Sequence, residues 1–405
     1  MTNSYNSERI IIGITYYNSP WLLKSGDDIR IHTICRSLKF TNKVYVFNLS
    51  YMMGSDSVLK KDGIVYIVIP RRFYRSLTNV IKYKMNYDLS PLIKLTHYVD
   101  EILLAMKIRN VLEKYKKIYI FGSMTLLSYF LHLMGLKKRL RVIYDPLANY
   151  AQTLYLRSRS SFTELLKYGL YLVLHKLQLN HSDYVIYPSK IDLENAKRMF
   201  KQIKALLVPN PIPLCYKDIN EYLCFRKKRK DYDKPYFILL AGSKNTANER
   251  AVEITIKLFN NIPSNRFRLL ITGPWKEKGK LIRNQSIKIL GTLPSTELKK
   301  ILAIADYGLA PIFYHVAGSY LKTLAYIAAA LDIITTPWGL IGVNRSLLKS
   351  RKIYIIHDIN EYKDATIKAI SSFNANSSIR AKHILTCKYT NKFLKENLRK
   401  TLRML

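Results

Sequence analysis

Apolar residues fall along this chain in short β-branched and aromatic runs, separated by longer stretches with helical spacing. The first half offers Ile10–Thr15, Lys43–Leu49, Ile64–Pro70, Lys117–Gly122, Arg141–Asp145, Tyr184–Pro188 and Ala205–Pro209. The second offers Tyr236–Gly242, Phe267–Gly273, Ser286–Gly291, Tyr307–Pro311, Asp332–Thr336 and Ile353–His357. Most runs are continuously apolar rather than alternating, which is how strands covered on both faces of a parallel sheet read. With helical segments between most of them, the pattern is β-α-β-α given twice, and it predicts an α/β chain with two doubly wound sheets.

The break between the halves is Cys215 to Pro235, which has no apolar period and carries a dense basic run. The expected organisation is a domain over residues 1–215, a basic linker over 216–235 and a second domain over 236–376. A basic helical segment, 377–405, follows with no strand after it and is expected to pack back toward the first domain. The length of 405 residues suits two domains. No apolar run reaches the roughly 18–20 residues of a membrane span, and the polar start shows no secretory signal. Four scattered cysteines, Cys35, Cys215, Cys224 and Cys387, have no zinc-ligand spacing and read as reduced thiols. These features give a cytoplasmic protein, with peripheral contact at the inner membrane face as an option.

Charge changes the picture. Lys and Arg number 66 against 28 Asp and Glu, a formal +38. A field of that size attracts polyanions, namely nucleic acid, an anionic membrane surface or phosphorylated substrates. The excess is spread along the chain, so it selects none of them by itself. The apolar helix around Tyr168–Leu179 reads as a core helix in preference to a membrane-surface one.

In open α/β sheets ligands bind outside the carboxyl ends of the strands, so chemistry is sought in three loops. Tyr16–Asp28 ends in Ser25-Gly26-Asp27-Asp28 and leads into a helix. Gly242–Arg250 places Gly242, Ser243 and Lys244 after a buried strand, a set suited to a diphosphate. Pro311–Val343 is the strongest: Gly318-Ser319 opens a helix whose free N–H groups and dipole can hold a phosphate, and Lys322 adds a full charge one turn in.

Residues 318–336, Gly318-Ser319-Tyr320-Leu321-Lys322-Thr323-Leu324 running on to Thr335-Thr336, with Gly339 and Gly342 beyond, resemble the donor-site pattern of the retaining glycosyltransferases of family 4. Further pieces keep the family's order: Ser25-Gly26 with Arg30, Val208-Pro209-Asn210-Pro211, Gly242-Ser243 with Asn248, Gly273-Pro274, Gly291-Thr292-Leu293 and Ala305-Asp306. The resemblance covers nearly the whole chain. It implies the GT-B architecture: two Rossmann-like doubly wound domains with an interdomain cleft. It further implies transfer of a sugar from a nucleotide-diphosphate sugar to an acceptor hydroxyl, with retention, no metal and no cofactor beyond the co-substrate. Carried over residue by residue, Lys322 and Asp145 are the catalytic candidates. Gly242, Ser243, Lys244, Gly273, Thr292, Leu293, Gly318, Ser319 and Lys322 bind the donor, and Gly26, Asp27 and Asp28 lie on the acceptor side. Expected partners are a nucleotide sugar, a glycan, glycolipid or glycoprotein acceptor and a membrane surface, with nucleic acid ranked below these.

The chain also departs from the family. Two glutamates eight apart are usual there, and their positions here hold Ala317 and Ala325; Ala330 and Asp332 replace a glycine and a proline. The alternative reading is therefore a non-catalytic relative that binds nucleic acid or an anionic membrane. Asp231-Tyr232-Asp233 is literally a DxD, but it precedes a strand inside a basic run and reads as solvated linker. His315 is a weaker candidate beside the phosphate cradle.

Overall fold

The computed structural model describes residues 9–15, 26–38, 43–50, 57–70, 90–122, 126–146, 162–200, 204–242, 246–313, 321–348, 351–374, 384–386, 392 and 396. The chain forms two compact units, Met1–Val208 with Leu398–Leu405, and Pro209–Asn397.

The first unit runs β1 (Arg9–Thr15), α1 (Gly26–Leu38), β2 (Lys43–Ser50), β3 (Ser57–Lys61), β4 (Ile64–Pro70), α2 (Ser90–Leu112) and β5 (Lys117–Gly122). It continues through α3 (Leu127–Leu131), a π-helical turn at His132–Leu136, β6 (Leu140–Tyr144), α4 (Phe162–His181), β7 (Tyr184–Tyr187), α5 (Lys190–Met199) and β8 (Ala205–Leu207). Its eight strands lie in the order β3-β4-β2-β1-β5-β6-β7-β8. Every pairing is parallel except β3 with β4. β3 was not expected. It forms a hairpin with β4 through Asp62-Gly63, whose φ values of 53° and 75° fit a two-residue turn that matches the strand twist. Its inward and outward positions are mostly exposed, so it lacks the apolar run by which the other strands were found.

The second unit runs α6 (Ile219–Arg226), β9 (Tyr236–Leu240), α7 (Thr246–Phe259), β10 (Arg268–Thr272), β11 (Ile287–Gly291), α8 (Ser295–Ile304) and β12 (Tyr307–Ala310). α9 (Leu321–Ala328), β13 (Asp332–Thr335), β14 (Ile353–Ile355) and α10 (Ile359–Ser371) complete it. Its sheet is wholly parallel, in the order β11-β10-β9-β12-β13-β14. The continuous apolar pattern has a direct cause in β9. Ile238 and Leu240 enter one core with Tyr222, Leu302, Leu324 and Tyr326. Phe237, Leu239 and Ala241 enter the other with Val252, Ile256, Tyr362 and Ile370. Helix starts follow their caps: Asp218 and Asp358 accept from the backbone N–H of Glu221 and Glu361, at 2.8 and 2.9 Å.

The stretch expected as a solvated linker belongs to the second unit instead. Arg226 and Arg229 are buried on the carboxylate of Asp306, each at 2.7 Å. The same carboxylate accepts from the Tyr236 N–H at 2.8 Å. Of the basic run 226–230, only Lys227, Lys228 and Lys230 are exposed. The arginines looked like linker because their counter-ion lies some eighty positions away (Arg226 to Asp306). Asp231 is likewise engaged by Arg268 at 3.1 Å, and this contact holds its carboxyl below the usual range.

Most of the expected C-terminal helical segment lies outside the described residues. The part described at 384–386 packs within the second unit: the Leu385 N–H donates to the Ala328 carbonyl at 2.9 Å, and Thr386 bridges Tyr216. Beside that bridge Cys215 is disulfide-bonded, while Cys35 and Cys224 are free. The expectation of reduced thiols throughout does not hold, because the bridge brings together segments that the sequence separates widely.

Candidate functional site at the strand-order reversal

The order β11-β10-β9-β12-β13-β14 reverses between β9 and β12. At such a reversal the connections leave in opposite directions and open a crevice beyond the carboxyl ends of the two strands. Here a side chain holds that opening. β9 and β12 pair only as far as Leu239 and Leu309. Beyond that rung the Tyr326 hydroxyl accepts from the Leu240 N–H and donates to the Leu309 carbonyl, both at 2.9 Å. The phenol thus stands where the next rungs would be. Its ring lies so close over Gly308 that a Cβ there would fall 2.3 Å from it. Burial pushes the hydroxyl's pKa well up, so it stays a donor. Tyr326 was not singled out in the sequence; the one aromatic inside a short apolar helix was the available signal.

Two helices enter the crevice by their first turns, α7 after β9 and α9 after β12. Lys322, the second residue of α9, donates from Nζ to Oδ1 of Asn248, the third residue of α7, at 2.7 Å. The contact spans 74 positions of sequence. Asn248 is buried and Lys322 partly so. Burial pushes the lysine's pKa down to about 8. This cation is held by a neutral amide beside two helix N-termini, and an incoming diphosphate would supply the negative charge. Gly242 is exposed at the end of β9, and among the described residues a Cβ there would meet nothing within 4 Å.

The other donor-side candidates sort by role. Gly273 is architectural: its φ is +113°, and a Cβ would lie 2.0 Å from the Ala241 carbonyl oxygen. That oxygen accepts from the Trp275 indole at 2.6 Å, and the Gly273 N–H donates to Gly291 at 2.8 Å. Gly273 therefore gathers the ends of β9, β10 and β11. Thr292 is exposed and Leu293 half-buried just past β11. Ser243, Lys244, His315, Ala317, Gly318 and Ser319 lie outside the described residues. Ala325 is 2% exposed among the apolar residues around Ile238 and Leu324, so no carboxylate occupies that place. Ala330 takes the left-handed conformation at φ 57° where the family carries glycine. With it, Leu331 and Ala330 donate to the Tyr326 and Ile327 carbonyls and close α9.

In the first unit the order reverses between β1 and β5. Asp145 follows β6, next to that point. Its carboxylate is fully buried and accepts from the Arg30 guanidinium at 2.7 Å, and Arg30 also donates to the Val208 carbonyl at 2.9 Å. The family-like Arg30 and the polar residue after β6 are thus one buried tie. Gly26, Asp27 and Asp28 form the first turn of α1; nothing is described of their side chains.

Two doubly wound units in tandem, the second with a dinucleotide-fold strand order, give this chain the GT-B architecture. No protein-family model and no curated protein matches the sequence. Solved structures do match. The sucrose-phosphate synthase of Thermosynechococcus elongatus is 13% identical, over 98% of this chain and 100% of that one, with a TM-score of 0.65. A trehalose-6-phosphate structure from E. coli bound with UDP-2-fluoro glucose is 15% identical over 98% and 99%, with a TM-score of 0.66. A UDP-forming alpha,alpha-trehalose-phosphate synthase from Burkholderia xenovorans in complex with glucose-6-phosphate is 12% identical over 98% and 100%, with a TM-score of 0.64. At such identities the likeness establishes the fold.

Proposed function

We propose that this protein is a glycosyltransferase that moves a sugar from a nucleotide-diphosphate sugar to an acceptor hydroxyl, with retention of configuration. The observation that carries the reading is Lys322, meeting Asn248 across the strand-order reversal of the second unit. As the bond between the sugar's anomeric carbon and the diphosphate breaks, its electron pair goes to the leaving oxygen. Preorganised cations and N–H groups lower the barrier by stabilising that charge. On this reading the Lys322 ammonium takes this role, and the first turns of α7 and α9 supply the N–H groups. The acceptor oxygen bonds to the anomeric carbon, and its proton passes to the leaving diphosphate oxygen. Gly242, Ser243, Lys244, Gly318 and Ser319 belong to the donor cradle on this reading. Thr292 and Leu293 lie along the nucleobase, and Gly26, Asp27 and Asp28 stand on the acceptor side.

Neighbours of the same fold bound with UDP-2-fluoro glucose or glucose-6-phosphate support a uridine donor and a sugar acceptor. The similarity to family 4 adds glycan, glycolipid or glycoprotein acceptors. Asp145 acts through Arg30 on this account, holding the end of β6 in place, because its carboxylate is already engaged.

Incubation with a panel of nucleotide sugars and acceptors, followed by proton NMR, tests the proposal. Release of nucleoside diphosphate with a product of the donor's own anomeric configuration is expected. Intact donors after prolonged incubation, in a protein that binds anionic vesicles or nucleic acid, would favour the non-catalytic reading.

A further inference from the structure

The outer helices of the first unit carry a feature that glycosyl transfer does not use. Strand register puts Ile10, Ile12, Ile118, Ile120, Leu140, Val142 and Tyr144 on one face of the sheet. α2 and α3 cover its middle through Leu104, Ile108, Leu127 and Leu131. α4 continues the layer, its His175 bonded to the Tyr144 hydroxyl at 2.7 Å. The outward sides of these helices therefore point the same way, away from the sheet. A solvated helix keeps that side polar. Here it also exposes apolar residues between its lysines: Leu103 and Met106 on α2, Leu133 in the turn after α3, and Leu165, Val173 and Leu177 on α4. Met106, Leu133 and Val173 are 60, 66 and 58% exposed. On α4 Val173 and Leu177 are four apart and adjacent along the helix, with Leu165 two turns before Val173. Scattered single apolar residues are ordinary on a surface; a shared stripe across neighbouring helices marks an interaction surface.

The charges around it identify the occupant. Lys107, Lys114, Lys137, Lys138 and Lys176 are all exposed in the same layer. The described side chains of these helices include no exposed acid, and Glu113, just past α2, is paired with Arg109 at 3.0 Å. A second copy of a chain with net charge +38 would bring the same basic rim against this one. We propose that this face docks peripherally on an anionic membrane surface, with the apolar stripe in the interfacial layer and the lysines on lipid phosphates. No helix among the described residues is long and apolar enough to cross a membrane. The proposal does not depend on the transferase reading.

The test is co-sedimentation of the full chain with phosphatidylcholine vesicles, with and without phosphatidylglycerol. A triple variant, Met106→Ser, Leu133→Ser and Val173→Ser, leaves net charge unchanged and touches exposed positions, and a thermal melt checks its fold. Expected is binding to the phosphatidylglycerol vesicles, weakened by roughly a hundredfold in the triple variant. A charge variant, Lys107→Glu with Lys176→Glu, should also weaken binding, by tenfold or more. The proposal is overturned if the native protein stays in the supernatant, or if the triple variant binds as tightly as the native protein, which would show charge attraction alone. It is also overturned if the native protein is a dimer in solution that the triple variant converts to monomer.

Discussion

Removing the charge of Asp306 should unfold the second unit at a markedly lower temperature. The Asp306 side chain is wholly inaccessible, and its two oxygens accept from Arg226, Arg229 and the Tyr236 N–H within 2.7–2.8 Å. Arg226 also donates to the carbonyls of Ala303 and Ala305, so the cluster ties α6 to the end of α8 and the start of β12. Asp306→Asn keeps the shape but leaves two buried guanidinium groups with no counter-charge, and turns one acceptor into a donor facing them. Breaking a buried pair from one side costs about 3–5 kcal/mol. For a unit of this size, each kcal/mol moves the midpoint by about 2–4 °C, giving a fall of about 6–20 °C. Circular dichroism during heating measures it, with Lys228→Gln, an exposed neighbour, as the control. A fall no larger than the control's would refute the reasoning and return the segment to a loosely attached linker.

Other outcomes follow from the same structure. Nucleotide affinity should be level below pH 8 and weaken above it, by up to about tenfold per pH unit, because the Lys322 pKa of about 8 rises when a diphosphate binds; titrations across that range show it, and a level profile to pH 10 would contradict it. Tyr326→Phe orphans the Leu240 N–H and the Leu309 carbonyl and should cost about 2–5 kcal/mol in urea denaturation; a change below 1 kcal/mol would mean the phenol does not hold the strands. Burial lowers His175 to about 4, so the folded state keeps it neutral. The stability it allows is complete above its ordinary pKa of about 6.5 and is lost as pH falls from there to 4, about 3 kcal/mol in all; His175→Phe should flatten that part of the profile.

The strands of the second unit were legible because most are apolar on both sides, and the rule that ligands bind past strand ends pointed to the loop before Lys322. Asn248 was noticed only as a motif residue; its contact depends on the strand-order reversal, which local patterning does not encode. The linker was misjudged for a related reason: a run of arginines and lysines reads as solvated when the one buried carboxylate that takes two of them is far along the chain. β3 was missed because an exposed edge strand has no apolar run, although Asp62-Gly63 marked its turn. Of the ordered strand-end turns, the GT-B architecture they implied was legible, while the narrower family they resemble has no support from the matching structures; Gly273, counted among the binding residues, is required by the backbone itself.

The central claim is that a diphosphate binds against Lys322 at the reversal between β9 and β12. Calorimetric titration of UDP and UDP-glucose into the native protein and Lys322→Ala tests it most directly. A charge-assisted hydrogen bond contributes about 1.5–3 kcal/mol, so the account predicts binding by the native protein that is weaker by about tenfold to a hundredfold in the variant. Equal affinity in the two proteins, with the variant's melting temperature intact, would contradict it.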